Sequence, residues 1–153
     1  MARWNCEGLE GLPLKLMIVA VVLGISLPIV YTGFRAYDIS RLEGAVATEA
    51  QRVLSMAEML HRGGVGNAET ITIKIPNGAL ARVEYLAIGG AFGTPEASSV
   101  RYLVGGSTEQ RLSASIQIVS VDNEAVYMGS GVHELHIECV VLYDAQVIQA
   151  RLL

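Results

Sequence analysis

The chain has 153 residues, about the size of one domain, and 52% of them are hydrophobic. Its net charge of −4 and the absence of a Lys/Arg cluster in the sequence argue against a nucleic-acid partner. The two cysteines, Cys6 and Cys139, lie at opposite ends of the sequence and do not make a disulfide scaffold. Much of the apolar excess falls in one block near the N-terminus.

That block reads "LKLMIVAVVLGISLPIVYTGFRAYD", from Leu14 to Asp38. Residues 16–34 carry no charge, and this length is close to the roughly 20 residues that a helix needs to cross a bilayer. A cleavable secretory signal has a shorter core and a small-residue exit. We therefore predict a retained transmembrane helix over residues 14–35, with residues 1–13 as a head or candidate leader.

The expected location is the cell membrane, crossed once. The basic residues on the two sides of the span are nearly balanced, so charge gives little information on orientation. The β-rich downstream part carries no cytosolic hallmark. We therefore expect that part to be extracellular.

A row of small or short residues follows the apolar helix at four-residue steps, and a row of this kind lets another helix approach closely. The alternative is the ordinary composition of a membrane helix. We also expect the proline in this row to kink the helix, because proline lacks a backbone N–H. The residues predicted for helix–helix packing are Ala20, Gly24, Pro28 and Thr32.

An amphipathic helix is predicted to continue over residues 36–63. Apolar residues recur there at steps of three and four, which gives one apolar stripe. The opposite surface is predicted to be charged and to include Asp38, paired with Arg41, and the pairs Glu49/Arg52 and Glu58/Arg62. The stripe needs an apolar partner, and the downstream strands offer the only candidate in the sequence. The residues predicted to pack on the sheet are Val46, Val53, Ala57 and Leu60.

Residues 68–153 are predicted to form an all-β domain. The apolar period changes from 3.6 to 2 in "TITIKI", and short apolar runs separated by Gly, Pro, Asn and Asp then follow to the end of the chain. We expect about seven strands, with "ALARVEYLAI" and "RLSASIQIVSV" each forming one of them. The predicted fold class is α+β, a long N-terminal helix packed on an antiparallel β-sandwich-like domain.

The sequence contains no catalytic constellation, and we predict that the protein is not an enzyme. The segment "HELHIE" lies on a predicted strand, where His133 and His136 point to opposite faces. A closed zinc site requires more ligands at tighter spacing. We accordingly predict no catalytic residue, no metal site and no cofactor.

The layout of a short head, an apolar and then amphipathic helix with a proline, and an all-β domain resembles type IV pilins and pilin-like proteins. The resemblance is greatest to archaeal examples. It rests on "EGLEGLPLKLMIVAVVLGISLPIVY", the helix through Arg62 and the strands after Asn67. The resemblance implies cleavage after a glycine before the apolar segment, and Gly8 and Gly11 are the matching positions. The family usually has a basic residue just before that glycine, whereas this chain has Glu7 and Glu10.

The resemblance implies a pilin-like structural subunit that is anchored in the membrane and assembles into a surface filament or pilus-type machine. Its expected partners are the lipid bilayer and copies of itself or related subunits, which it contacts through the N-terminal helix. Two alternatives remain. The protein is either a single-pass membrane-tethered binding or scaffold module, or an accessory subunit of a membrane complex that does not polymerise.

Overall fold

A computed structural model describes residues 7–153, with side chains from Pro13 onward. The chain forms one long helix, α1 (Glu7–Gly63), followed by eight strands. It divides into a unit that ends at Tyr37 and a unit from Asp38 to Leu153, and the two are described separately below. The strands are β1 (Ala68–Ile75), β2 (Val83–Ile88), β3 (Ser99–Val104), β4 (Gln110–Ser113), β5 (Ile118–Ser120), β6 (Val126–Met128), β7 (Gly131–Leu142) and β8 (Ala145–Leu152).

The first unit is helical and apolar. The helix assignment is unbroken at Pro13 and Pro28, although neither residue can donate a backbone hydrogen bond. Every side chain from Pro13 to Tyr37 is exposed. Gly8 and Gly11 lie outside the residues whose side chains the structure describes, so processing there stays a prediction.

The second unit contains two four-stranded sheets. The first sheet has the order β1-β7-β8-β5 and the second has the order β4-β3-β2-β6. Neighbouring strands are antiparallel except β5 and β8, which run parallel. The predicted α+β class is confirmed, with the helix packed on two mainly antiparallel sheets.

The second half of α1 and the inner faces of both sheets share one hydrophobic core. Its apolar side chains follow the period of 2 on the strands and the period of 3.6 on the helix. Burial of such side chains supplies most of the stabilising free energy of a domain of this size. The largest fully buried members are Leu42, Val46 and Val53 of α1, Ile73, Leu135, Ile137, Ile148 and Ile118 of the first sheet, and Leu86, Ile88, Val100 and Met128 of the second.

Two strand predictions were wrong in their extent. The run "RLSASIQIVSV" is two strands rather than one, because the chain leaves the second sheet after Ser113 and joins the first at Ile118. The backbone N–H of Ala114 bonds to the carbonyl of Ser98 at 2.8 Å, which extends the pairing of β4 with β3 by one position before the chain crosses to the first sheet. The other run, "ALARVEYLAI", enters the sheet only at Val83.

The loop that follows β2 lies close to β5. Gly89 has a φ of +68°, and a Cβ atom at this position would lie 2.0 Å from the carbonyl oxygen of Ile118. The same carbonyl accepts a hydrogen bond from the N–H of Gly90 at 3.1 Å. Glycine is therefore required at position 89 for two independent reasons, the left-handed backbone and the close approach.

The hairpin between β7 and β8 turns through two non-glycine residues with positive φ, Tyr143 at 50° and Asp144 at 61°. Two successive left-handed residues match the twist of antiparallel strands, although glycine or asparagine is the usual choice. The Tyr143 ring packs on the Phe92 ring with 5.0 Å between centroids. This aromatic contact links the hairpin to the loop after β2.

Candidate functional site

The first unit presents an apolar surface on all sides of a helix. Its large hydrophobic side chains expose between 50% (Leu23, Val30) and 69% (Tyr37) of their area. The helix is long and apolar enough to cross a membrane, and no part of its most apolar stretch is buried within the chain. A helix that is hydrophobic on every face is typical of a membrane span or of a buried bundle.

The four residues predicted for helix–helix packing lie within this surface. Ala20, Gly24, Pro28 and Thr32 are all exposed, and a Cβ atom added at Gly24 meets nothing within 4 Å. Pro28 has no N–H, so the carbonyl of Gly24 loses its normal intrahelical donor on this same row. The Thr32 hydroxyl donates to the carbonyl of Ile29 at 2.9 Å. The row is therefore open, and the carbonyl of Gly24 lacks its usual donor at position 28.

The four residues predicted for helix–sheet packing lie in the main core of the second unit. Val46, Val53 and Ala57 are at most 1% exposed and Leu60 is 6% exposed. Sequence reasoning did not single out Leu54, which is buried in the same core at 3% exposure. Its position one residue after Val53 widens the apolar stripe beyond the strict three- and four-residue steps.

Asp38 was predicted on the solvent-facing side of the helix, and that prediction was wrong. The residue is 6% exposed, and its Oδ2 atom accepts hydrogen bonds from the N–H of Leu80 at 2.7 Å and of Ala81 at 3.0 Å. The bond from Leu80, followed by the bond from Ala81, lowers the pKa of the Asp38 carboxyl below its usual value. Asp38 thus fastens α1 to the loop between β1 and β2.

Gly78 makes this contact sterically possible. A Cβ atom at position 78 would lie 2.5 Å from Oδ2 of Asp38 and 2.8 Å from Cδ1 of Leu42. The "PNG" turn was predicted from its residue types alone, and its glycine leaves room for the carboxylate. Helix and loop can therefore approach until the carboxylate reaches the backbone N–H groups.

The other predicted ion pairs of the helix differ in their contacts. Arg52 lies 3.5 Å from the carboxylate of Glu49, as the three-residue spacing indicates, and it also donates to the carbonyl of Thr72 in β1 at 3.1 Å. Arg62 donates to the backbone carbonyl of Glu58 at 3.3 Å. Through its second contact, Arg52 satisfies a backbone carbonyl of strand β1. The residue therefore links the helix to the first sheet in addition to pairing with Glu49 on the helix surface.

The histidines of β7 point to opposite faces of the first sheet. His133 lies on the face of Leu135 and contacts the carbonyl of Gly129 at 2.8 Å. His136 lies on the outer face, 3.0 Å from the hydroxyl of Thr70 and 4.0 Å from the carboxylate of Glu138. Within the described part of the chain, no three His, Cys, Asp or Glu side chains are grouped so that they could hold a metal ion.

These features define a class of protein that has an N-terminal helix long and apolar enough to cross a membrane. The second half of that helix forms part of the core of an α+β domain. Residues 16–153 match the family described as a domain of unknown function (DUF7311), and the chain belongs to that family. No curated protein and no solved structure matches the chain.

Proposed function

We propose that this protein is a pilin-like structural subunit that is anchored in the cell membrane by residues 14–35 and assembles with copies of itself through that helix. The observation that carries the proposal is the exposed apolar surface of this segment, where large side chains expose 50% or more of their area. A surface of this kind has to be covered by lipid or by other apolar helices.

The composition of the row Ala20, Gly24, Pro28 and Thr32 supports self-association. Small residues let two helix backbones come close enough for van der Waals packing, which is the main attraction between helices in lipid. The carbonyl freed at Gly24 adds a polar group that gains from a neighbouring helix, since lipid offers it no donor. In an assembled filament, helix contacts of this kind replace lipid contacts, and the β-domain forms the outer surface.

The test compares two glycine substitutions in the full-length chain. Gly24→Leu fills the row, whereas Gly33→Leu adds the same side chain off the row, and a Cβ atom meets nothing within 4 Å at either position. Both variants should insert and fold as single chains. We expect Gly24→Leu to abolish multimers in native mass spectrometry of detergent extracts and filaments in electron micrographs of cells, while Gly33→Leu retains both.

The competing function is a membrane-tethered binding or scaffold module. Here the helix acts only as an anchor, and both glycine variants behave like the parent chain. The observation in favour of this reading is the exposed ring of Tyr143, which packs on the half-buried ring of Phe92, because aromatic residues are enriched in binding surfaces. An accessory subunit would respond to Gly24→Leu by losing a different partner instead of copies of itself.

Intact mass spectrometry of the protein from its native membrane tests the processing step. A mass that lacks the residues up to Gly8 or Gly11 supports a cleaved, filament-forming subunit. A mass that retains them supports a permanent anchor. The β-domain is expected to be extracellular, and proteolysis of intact cells with an added protease checks this orientation.

A further inference from the structure

We infer that the β-domain contains a binding site for the pyranose ring of a neutral hexose, in a cleft on the outer face of the second sheet. The cleft has a volume of 340 Å³ and lies between the loop 90–96, the segment Glu124–Tyr127 and the side chain of Arg101. Ligand pockets range upward from about 300 Å³, so the volume suits one or two sugar rings.

Arg101 is the polar centre of the cleft. Its side chain is half-buried, and its Nε atom is buried without a hydrogen-bond acceptor in the described residues. One other nitrogen reaches the carbonyl of Gly89, at 3.4 Å. No carboxylate in the described part of the chain comes within 4.0 Å of this guanidinium. Because this Nε atom has almost no accessible surface, a ligand oxygen in the cleft would bond to the terminal nitrogens of the guanidinium, one of which has no acceptor within the described residues.

Arg111 is the partner of Arg101 across strands β3 and β4. Like charges directly opposite each other destabilise a sheet, so this pair needs a compensating feature. Arg111 is exposed and donates to the carbonyl of Pro95. That contact turns Arg111 to the loop and leaves Arg101 as the guanidinium that lines the cleft.

The walls of the cleft carry two carboxylates and an aromatic ring. Glu96 and Glu124 both line the cleft, and the pKa of Glu96 is lowered, chiefly by a hydrogen bond from its own backbone N–H. Tyr127 is 60% exposed, and its ring makes an edge contact with Tyr85 at 5.9 Å between centroids. Tyr85 bonds in turn to the carboxylate of Glu109, which fixes the aromatic pair.

Two side chains besides that of Arg111 hold the loop that forms one wall. The Asn123 side-chain oxygen accepts from the N–H of Phe92 at 2.7 Å, and that of Gln117 accepts from the N–H of Gly93 at 3.2 Å. Asn123 lies one residue before Glu124, so its bond joins the two opposite walls directly. The cleft is therefore formed before a ligand arrives, which lowers the entropic cost of binding.

The mixture of charges selects the ligand class. A simple anion would meet the carboxylates of Glu96 and Glu124, and a cation would meet Arg101. A neutral sugar hydroxyl both donates to a carboxylate and accepts from a guanidinium, so one ring can satisfy both kinds of group. The C–H face of a pyranose ring is apolar and fits the exposed ring of Tyr127.

The test uses the full-length chain in lipid nanodiscs and three probes, the methyl α-glycosides of mannose, glucose and galactose. Binding is followed by saturation-transfer difference NMR and by titration, with acetate and inorganic phosphate as anion controls. We expect at least one glycoside to bind with a millimolar or lower Kd. We also expect Tyr127→Ala to weaken that binding about tenfold.

Matched variants test whether glycoside binding depends on the residues of the cleft. Arg101→Gln should weaken binding, while Arg82→Gln, at an exposed arginine that does not line the cleft, should leave the Kd unchanged. Circular dichroism checks the fold of each variant, and Tyr127→Ala decides the matter if Arg101→Gln does not fold. The inference is overturned if no glycoside binds, if Tyr127→Ala has no effect, or if acetate or phosphate displaces the sugar.

This site is independent of helix assembly. Gly24→Leu should leave glycoside binding unchanged whether or not it abolishes multimers. A failure of the pilin-like proposal is therefore distinguishable from a failure of the saccharide site.

Discussion

The carboxylate of Asp38 accepts a hydrogen bond from the backbone N–H of Leu80 at 2.7 Å, across 42 positions of the sequence. The same oxygen atom also accepts from Ala81. A charged acceptor for two backbone donors makes shorter and stronger bonds than a neutral one. This contact fixes the loop between β1 and β2 against the helix at the point where the buried stripe begins.

We expect substitutions of Asp38 to destabilise the β-domain in a graded order. Asp38→Asn keeps an oxygen acceptor but loses the charge, so thermal unfolding of the full-length chain in detergent should occur at a moderately lower temperature. Asp38→Ala leaves two backbone N–H groups without their acceptor and should lower the Tm further. Asp122→Ala, at an exposed carboxylate in a turn, is the control and should leave the Tm unchanged.

Stability should also fall on acidification. The folded-state pKa of Asp38 is lowered from an ordinary value of 3.8, so the unfolded chain takes up this proton first as the pH falls. The stabilisation is complete above pH 3.8, and it is lost as the pH falls from there through the lower folded-state pKa. Comparing urea unfolding of the parent chain and Asp38→Asn across this range tests the assignment, since the difference between them should shrink at low pH.

The main core should be sensitive to truncation on the buried face of α1. Leu42 is 0% exposed, and Leu42→Ala should cost about 2–5 kcal/mol in free energy of unfolding through lost burial and the cavity left behind. Met59→Ala, at a side chain 51% exposed on the same helix, should change stability by less than about 0.5 kcal/mol. Equal effects in urea titrations would contradict the packing of the helix on the sheets.

Gly89 should tolerate no side chain. Gly89→Ala introduces both a left-handed non-glycine residue and a Cβ atom 2.0 Å from the carbonyl oxygen of Ile118, so it should cost about 3 kcal/mol or more. Gly93→Ala has a similar φ of +78° and meets nothing within 4 Å, so only the backbone term of about 1–2 kcal/mol applies. The difference between the two denaturation midpoints measures the close contact alone.

The sequence predicted the helix and the alternation of the strands well, because periodic apolar residues directly reflect burial on one face. It did not predict the burial of Asp38, since a charged residue beside an apolar stripe normally faces water. Its partners are the backbone N–H groups of Leu80 and Ala81, and every residue except proline has such a group, so no residue type indicates this contact. The one sequence feature consistent with a close approach is the glycine of the "PNG" turn.

The sequence pattern also could not predict that "RLSASIQIVSV" is divided between the two strands β4 and β5. A period of 2 indicates which side chains are buried, but it does not say which sheet buries them. The saccharide cleft was missed for a related reason. Arg101, Glu124 and Tyr127 come from different strands and a turn, and only the pairing of β2 with both β3 and β6 brings them to one face.

The pairing of β1 with β7 has a consequence for biogenesis. Thr70 and His136, which meet across this pair, are 66 residues apart in the chain. Pairings at such separation form late and slowly, because a long loop must close first. A chain made from its N-terminus therefore presents its apolar helix well before β7 exists to complete the sheet. If residues 14–35 anchor the protein in the membrane as proposed, their insertion would precede folding of the β-domain, which would then fold while already tethered at the bilayer.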